Sequence, residues 1–497
     1  MLDESSGPDR PSGVVTTAPE TVAAALTDFA LEASYDGLPE SVRDSVRLHI
    51  LDTVGSALAG AKPGDPTSEA LRQAASRWQR DGDSTASIWG LSARTDVQTA
   101  ALVNGAFAQA LEMDDKHGAS LARPGSSVVP AVLAAAEVVG ADLATVTTAV
   151  AVGYEVMIRL GLAAGSGFLA RGYHSSALLG TFGTVVAVAK IRGLSRSQVT
   201  DALGIVGTFA SGIQEATRTG ATSKVLHGGW AAHSGCIAVD LAESGITGPD
   251  TVFEGSYGFY PAFLGHLPSD AHLDRISHGL GDEWYLPETA FKPYPCCQIL
   301  HAFIDAAKEV RTRLQSDGLG IGDIDTIEAG LVEPGRSLVT DPWESKLRPT
   351  HPHEARFSLP YVVAHTLVHG DVGLDSFSEA ALHETEVLVL APKTVVGDDP
   401  LSDYPLHCPA DLKVRTTHGK SYEVRVPYNP GSPEAPLSTE DVIGKFVSNT
   451  TWLFGSDADG KARRILGLDA GASISELIAI LGEGTDDDTA TLQGGSG

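Results

Sequence analysis

The residues best suited to chemistry in this sequence lie in the cluster LEMDDKHGASLARPGSS. It places Glu112, Asp115, Lys116 and Arg123 in an otherwise apolar neighbourhood. If residues 100–113 are helical, the first three of these side chains lie on one face at the helix end. The RPGSS sequence that follows offers backbone N–H groups and a guanidinium to a carboxylate ligand. The alternative is a solvated helix end followed by a loop.

Two further clusters place a histidine or a lysine at the start of a predicted helix. RGYHSSALLGTFGTV puts His174 before an apolar helix, where the helix dipole favours a neutral imidazole that acts as an acid or a base. GATSKVLHGGWAAHSG puts Lys224 and His227 at the start of a helix of small residues, where a lysine with few acidic neighbours faces an anion. The alternatives are a packing or capping histidine and a lysine that extends to solvent.

A fourth cluster, FKPYPCCQILHAF, lies at a predicted domain boundary, where substrate sites are common. Two prolines around Tyr294 give a stiff, extended segment that presents Lys292. The vicinal cysteines form no CxxC pair, so buried thiols are favoured over a metal site. The sequence HPHE is also a poor metal motif, because Pro352 prevents the helical spacing that zinc enzymes use. We therefore predict no metal and no cofactor.

The charge of the chain limits its partners. The 497 residues include 35 Lys and Arg against 63 Asp and Glu, for a formal net charge of −28. Such a field repels nucleic acid and anionic membranes, so we expect neither as a partner. A cationic pocket in this anionic protein is suited to a small polycarboxylate. Chemistry next to a carboxylate needs a base for the α-proton, cations for the enolate-like charge, and an acid for the departing group.

The elements that must position these residues fall into three regions of the chain with different sequence patterns. Residues 20–287 are rich in small apolar residues at helical spacing, with Gly140 and Gly153 as predicted interruptions. Residues 288–428 alternate helix and strand patterns, and residues 429–482 are helical again. The predicted fold is therefore mainly α, with a large helical domain built from both chain ends and an inserted, smaller α+β lid domain. The two chain ends, 1–19 and 483–497, are predicted to be disordered.

Within the lid domain, three elements can be predicted from periodicity. HAFIDAAKEVRTRLQ (301–315) is an amphipathic helix, and IDTIEAGLV (324–332) is a strand. The segment 410–427 is a β-hairpin that turns at His418-Gly419. Four cysteines, an acidic N-terminus and the lack of an unbroken apolar run of about 18 residues favour a cytoplasmic protein.

These clusters, together with NGAFAQALEMDDKHG, EGSYGFYPAF and EARFSLPYVV, resemble the MmgE/PrpD family. That family includes 2-methylcitrate dehydratases, cis-aconitate decarboxylases and an iminodisuccinate epimerase. The likeness covers about 440 residues, from LDTVGSALAG to the C-terminal helices. It implies a helical domain from both chain ends, an inserted lid, a metal-free active site in the cleft between them, and a homodimer.

The resemblance also implies roles for individual residues. His174 is expected to be the acid or base, and Lys224 and Lys292 are expected to bind carboxylates and stabilise the enolate. Glu112 and Asp115 are expected to orient these cations and to share a proton. The residues expected to bind substrate are Lys116, His117, Arg123, His227 and Tyr361.

The first cluster departs from the family pattern. Many members contain D-x-D-D-T-H followed by H-P-G, whereas this chain has Glu112, Lys116 and Arg123 at the corresponding positions. An arginine binds a carboxylate well but is a poor proton shuttle, because it stays protonated. The additional positive charge of Lys116 and Arg123 suits a substrate with an additional carboxylate.

The leading hypothesis is a cofactor-independent lyase of a small di- or tricarboxylic acid, similar to 2-methylcitrate dehydratase, which removes a proton next to a carboxylate and expels water. The first alternative is a cis-aconitate-type decarboxylase, because that reaction needs fewer acid and base groups. The second is an epimerase of a dicarboxylate in the same pocket. A carboxylate-binding protein without turnover is the non-enzymatic alternative.

Overall fold

The computed structural model describes residues 21–82, 85–333 and 335–482. Helices dominate these ranges and strands form only small sheets, so the predicted fold class is confirmed. The predictions of disorder at the two chain ends, 1–19 and 483–497, fall outside the described residues.

The N-terminal part of the chain consists of helices and two short strand pairs. Strands β1 (Thr85–Ile88) and β2 (Ala93–Asp96) form a hairpin that the sequence analysis missed. The helices are α1 (Val22–Glu32), α2 (Glu40–Gly60), α3 (Pro66–Trp78), α4 (Val97–Ala110), α5 (Gly125–Val139), α6 (Leu143–Ala164), α7 (Gly167–Ala170), α8 (Ser175–Arg192), α9 (Arg196–Val206), α10 (Glu215–Thr219), α11 (Leu226–Glu243), α12 (Phe259–Leu264) and α13 (Asp270–Ser277).

A second strand pair connects two distant segments of the chain. Strand β3 (Lys116–His117) lies antiparallel to β4 (Thr289–Ala290), with Lys116 opposite Ala290. The acid-rich loop after α4 is thereby joined to the segment that leads into the lid.

The middle of the chain forms the lid around its own apolar core, and the C-terminal helices return to the larger core. The lid contains α14 (His301–Ser316), β5 (Ile324–Leu331), α15 (Gly335–Thr340), α16 (Trp343–Leu347), α17 (Pro352–Ala355), α18 (Leu359–His369), α19 (Glu379–Leu382), α20 (Thr385–Leu390), β6 (Thr394–Asp398), β7 (Ala410–Thr416) and β8 (Ser421–Val426). The C-terminal helices are α21 (Thr439–Phe454), α22 (Ala458–Leu466) and α23 (Ile474–Gly482).

The four-stranded sheet of the lid has the order β6-β5-β7-β8. Strand β5 runs parallel to β6 and antiparallel to β7, and β7 and β8 form the predicted hairpin. Val414 lies opposite Tyr422, and Leu412 lies opposite Val424. These side chains belong to the apolar core of the lid, together with residues of α14 and α18. The predicted helix 301–315, the strand and the hairpin are confirmed.

Small residues allow the helices of the larger core to approach closely. A Cβ atom on Gly229 of α11 would lie 2.1 Å from the carbonyl oxygen of Leu102 on α4. Gly153 was expected to interrupt its helix, but α6 continues through it. A glycine is needed there for close packing, because a Cβ atom would lie 2.8 Å from the carbonyl oxygen of Gly183 on α8. Gly140, in contrast, ends α5 with a left-handed φ of 69°. Helix α6 is long and apolar enough to span a membrane, and it is buried in this core.

Candidate active site

A cavity between the larger core and the lid collects residues from both. Its polar lining comes from the loop after α4, the start of α8, the residue before α10, the segment before α14 and the loop between β6 and β7: Lys116, Arg123, His174, Ser175, Gln214, Cys297, Gln298 and Tyr404. Its apolar lining is Leu121, Leu169, Ile299 and Leu338. Polar residues outnumber apolar ones in this lining, which suits a small polar or charged ligand.

The loop after α4 has a different conformation from the predicted one. Helix α4 ends at Ala110, and Glu112 adopts a left-handed φ of 58°, which is uncommon for a residue with a Cβ atom. Lys445 of α21 donates a hydrogen bond to the carbonyl oxygen of Met113 (2.8 Å) and holds the loop from behind. The expectation that Glu112, Asp115 and Lys116 share one helix face is therefore wrong, because the helix ends before all three.

Glu112 is the centre of a buried group of charges. Its carboxylate pairs with Lys224, which lies in a turn just before α11. The Nζ atom of Lys292 lies 3.8 Å from Oε2 of Glu112 and donates to the Glu112 carbonyl oxygen at 3.1 Å. Lys292 also lies 3.5 Å from Oδ1 of Asp114. Although burial alone raises the pKa of Glu112, the two lysines hold it well below its usual range, so the carboxylate is ionised.

His174 is the N-cap residue of α8, and this position was predicted from the sequence. Both of its ring nitrogens have a hydrogen-bond partner, which was not predicted. Nη1 of Arg123 lies 2.7 Å from its Nε2, and Nδ1 of His227 lies 3.0 Å from its Nδ1. Because a guanidinium only donates, Nε2 of His174 accepts. The proton of neutral His174 is then on Nδ1 and is donated to His227.

Burial and neighbouring cations keep these imidazoles neutral. Burial lowers the pKa of His174 well below its usual value, and Arg123 and Lys224 lower it further. Burial and Lys224 lower the pKa of His227 to about 4. Burial also lowers the pKa of Lys224 itself, which makes its ammonium a better proton donor than an exposed lysine.

Lys116 and Arg123 face the cavity without a carboxylate partner. Lys116 is buried, and burial lowers its pKa. Within the part of the chain that the structure describes, no Asp or Glu side chain forms an ion pair with either residue, and Nε of Arg123 has no hydrogen-bond partner. Lys116 is therefore a buried cation without a compensating anion, and Arg123 is a partly buried cation in the same lining.

Asp115 is directed away from the cations that it was expected to orient. Its carboxylate accepts hydrogen bonds from the Gly125 N–H (2.9 Å) and the Tyr154 hydroxyl (2.8 Å), and it lies 3.0 Å from Nδ1 of His49. Burial alone raises the pKa of Asp115, but these contacts together lower it. Its neighbour Asp114 is the second carboxylate beside the lysines.

Three residues expected to bind substrate do not line this cavity: His117, Tyr361 and His227, the last of which contacts the lining residue His174. His117 contacts Ser120 (Nδ1 to Oγ, 2.9 Å) and lies 3.6 Å from Glu288, in an adjoining cavity. Tyr361 is buried in the core of the lid, where its hydroxyl donates to the carbonyl oxygen of Ser376 at 2.7 Å. Tyr361 belongs to the EARFSLPYVV block, and its own contribution is to the packing of the lid.

The structure adds residues that the sequence analysis did not place in the site. Phe357 lies under Lys224, with its ring centroid 5.3 Å from Nζ, and the charges of Lys224 and Glu112 act on nearby His353. Phe357 occurs in the quoted EARFSLPYVV block, and His353 was considered only as a metal ligand. Gln214 and Tyr404 had no motif that indicated a role. Across residues 21–82, 85–333 and 335–482, no group of three or more His, Cys, Asp or Glu side chains is arranged to hold a metal ion.

The described chain is therefore a mainly helical protein with a cation-containing cavity beneath an α+β lid. The chain matches the family model of the MmgE/PrpD N-terminal domain over residues 24–271 and that of the MmgE/PrpD C-terminal domain over residues 294–468. It therefore belongs to the MmgE/PrpD family, and the resemblance stated from the motifs is confirmed.

Curated relatives match nearly the whole chain. A cis-aconitate decarboxylase-like protein, oryM, of Aspergillus oryzae is 29% identical over 94% of this chain and 99% of its own length. The cis-aconitate decarboxylase of Aspergillus terreus is 29% identical over 97% and 98%, respectively. The human cis-aconitate decarboxylase is 29% identical over 82% and 83%. Decarboxylases and the dehydratases of this family are both lyases, so the predicted enzyme class is confirmed.

Proposed function

We propose that this lyase is a cofactor-independent decarboxylase of a cis-aconitate-like tricarboxylate. The observation that carries the proposal is the charge in and beside the cavity, where four cations are present with two carboxylates. The cations are Lys116, Arg123, Lys224 and Lys292, and the carboxylates are Glu112 and Asp114. A polyanion compensates this excess of positive charge, whereas a neutral substrate leaves it uncompensated.

In this reaction the bond between one carboxylate carbon and the substrate skeleton breaks, and its electron pair stays on the skeleton as an allylic carbanion. Carbon dioxide leaves as a neutral molecule, so no acid is needed for the departing group. The negative charge spreads towards a remaining carboxylate, where Lys224 and Lys292 stabilise it. Because Glu112 already holds both lysines in place, little reorganisation is needed as the charge develops.

One proton must then be supplied to the carbanion, and the two histidines are arranged to supply it. When Arg123 turns to bind a substrate carboxylate, Nε2 of His174 is released from its contact. The released Nε2 then takes a proton from solvent and donates it to the carbanion, while the proton on Nδ1 stays in the hydrogen bond to His227.

Dehydration, the leading hypothesis from the sequence, is the second candidate. It requires both a base for the α-proton and an acid for the hydroxyl group. The specific observation in its favour is the buried Lys224, whose lowered pKa suits proton transfer. The names of the relatives favour decarboxylation, and the cationic cavity accommodates the substrates of both reactions. Epimerisation of a dicarboxylate, which needs only proton removal and return, is the third candidate.

Proton NMR in D₂O distinguishes these reactions. The purified protein is given cis-aconitate, 2-methylcitrate and citrate separately, and a Lys420→Met variant of the exposed lid surface serves as the matched lysine control. We expect cis-aconitate to give the methylene signals of an itaconate-like product with one deuterium per molecule. New alkene signals from a hydroxy acid alone would instead establish a dehydratase. Unchanged spectra for all three would contradict the proposal.

We further propose that the protein acts as a cytoplasmic homodimer. An exposed apolar stripe supports the dimer: Leu226 and Trp230 lie one turn apart on α11, with exposed fractions of 41% and 43%. Ile213 is 61% exposed and follows Gly212, where a Cβ atom would lie 3.6 Å from the ring of His227. Analytical ultracentrifugation tests this: the wild type should sediment as a dimer and Trp230→Glu as a monomer. A monomeric wild type would contradict it.

A further inference from the structure

We infer that the reaction cavity continues past Lys116 into a second binding pocket that takes an additional anionic, hydrogen-bonding arm of the substrate. This inference rests on the proposed function and extends it to substrates larger than cis-aconitate. The second pocket lies between the loop of strand β3 and the segment that leads from the lid back to α21. None of the roles derived above uses it.

The two cavities share part of their walls. Lys116 and Gln298 line both of them. Lys116 is fixed in this position by the pairing of β3 with β4, where it lies opposite Ala290. Its ammonium group is buried without a carboxylate partner, so an anion in either cavity can approach it. A ligand that begins at His174 can therefore extend past Lys116 into the second pocket.

Buried polar atoms without a protein partner line the second pocket. They are Oε1 of Gln298 and Nδ2 of Asn429, in residues that are only 5% and 3% exposed. Buried polar groups are normally hydrogen-bonded, so two such atoms on one pocket indicate a ligand. The Gln298 oxygen requires a donor and the Asn429 amide requires an acceptor.

The charges around the pocket determine which end of the arm is anionic. Two glutamates lie at the outer rim, and each is close to a histidine: Glu434 lies 3.2 Å from His407, and Glu288 lies 3.6 Å from His117. The inner end has the cation Lys116 and the neutral amides. The arm therefore places a carboxylate beside Lys116 and the Asn429 amide, and a hydroxyl or amide group that donates to Gln298.

The loop that carries Asn429 and Ser432 is held firmly in place. The Ser432 N–H donates to the Asn429 carbonyl oxygen at 3.2 Å. Gly431 has a left-handed φ of 86°, and a Cβ atom there would lie 2.0 Å from the carbonyl oxygen of Phe291. The loop thus packs directly on the segment that carries Lys292.

Calorimetric titration with two unreactive ligands tests this pocket. Tricarballylate has three carboxylates on a short chain, and butanetetracarboxylate adds one carbon with a fourth carboxylate. The wild type should bind the tetracarboxylate about tenfold more tightly than tricarballylate, equivalent to ~1.4 kcal/mol. Asn429→Leu should remove this gain, because it loses the amide donor, and Asn429→Asp should reverse it by repulsion. Tricarballylate affinity should change less than twofold in both variants.

Ser432→Ala is the milder variant, to be used if the Asn429 variants do not fold. It removes a hydroxyl group from the lining of the same pocket and should reduce the gain about threefold. Equal affinities of the wild type for the two ligands would overturn the second pocket, as would a full gain in Asn429→Leu. Equal losses for both ligands would also overturn it, because they would indicate a general effect on the site. Turnover of cis-aconitate with no gain for the tetracarboxylate would overturn this inference alone. Absence of both turnover and tricarballylate binding would overturn the proposed function as well.

Discussion

Two groups of cations, one next to the candidate cavity and one in its lining, differ in whether they have a carboxylate partner. On one side, Lys224 and Lys292 are held by the ionised carboxylate of Glu112. On the other side, Lys116 and Arg123 face the cavity without any carboxylate partner in the described chain. We term these the paired side and the open side. The comparison teaches that cations around one pocket need not share a role, because only cations without a carboxylate partner are free to bind a carboxylate group of a ligand.

The difference corresponds to two tasks in a lyase. Cations that are already fixed stabilise charge as it develops, because they need little reorganisation during the reaction. Cations without a partner attract and orient the substrate before the reaction. Substitutions on the paired side should therefore lower kcat, and substitutions on the open side should mainly raise KM.

The largest expected effect is that of Lys224→Met on the paired side. Removal of one preorganised charge should lower kcat by about 10²- to 10³-fold with a small change in KM. Steady-state kinetics measures both constants, and circular dichroism checks that the variant is folded. Lys224→Arg keeps the charge and should recover part of the rate. A change in KM alone would contradict the separation of the two sides.

Two adjacent carboxylates sharpen the comparison. Asp114→Asn should lower kcat, because Lys292 loses a charged neighbour at 3.5 Å. Asp115→Asn should instead lower the free energy of unfolding by roughly 2 kcal/mol, because it weakens charged hydrogen bonds from Tyr154 and the Gly125 N–H. Urea denaturation and kinetics on both variants give the test. A larger kcat loss in Asp115→Asn than in Asp114→Asn would reverse the assignment.

The different contacts of Asp114 and Asp115 show what could not be predicted from the sequence. The clusters around His174, Lys224 and Lys292 were recognisable from composition and spacing, because cations in apolar, glycine-rich segments are unusual. The direction of each carboxylate was not predictable. It depends on the left-handed backbone at Glu112 and on the hydrogen bond from Lys445, which is distant in sequence.

The fold was easier to predict than the site. Helical and strand periodicities identified the helix after His301 and the lid hairpin, because both have one face on an apolar core. The short hairpin at β1 and β2 has no such pattern. Residues such as Gln214 and Tyr404 reach the cavity through tertiary packing alone, so no local pattern indicated them.

Acidic pH should destabilise the protein through its buried histidines. Burial lowers the pKa of His227 and of the lid residue His365 to about 4 each. Between this value and about 6.5, the unfolded chain binds more protons, so the free energy of unfolding falls as pH falls. Urea midpoints should therefore decrease from pH 7 to pH 5. His365→Asn should flatten this dependence without changing kcat, and an unchanged slope would contradict the interpretation.

The smallest expected effect is that of Tyr361→Phe. Its hydroxyl bonds only to the Ser376 carbonyl oxygen in the core of the lid, away from both sides of the cavity. We expect kcat and KM to remain within twofold of the wild type. Thermal denaturation should show a loss of about 1 kcal/mol, the contribution of one buried hydrogen bond. A large rise in KM would return Tyr361 to the substrate-binding residues.

The most direct test of the central claim is calorimetric titration of tricarballylate into the wild type, Arg123→Met and the exposed control Lys420→Met. If the open side takes the substrate carboxylates, Arg123→Met should bind at least about tenfold more weakly, equivalent to ~1.4 kcal/mol. Lys420→Met should bind like the wild type. Unchanged affinity in Arg123→Met would contradict the claim that unpaired cations form the binding side of this site.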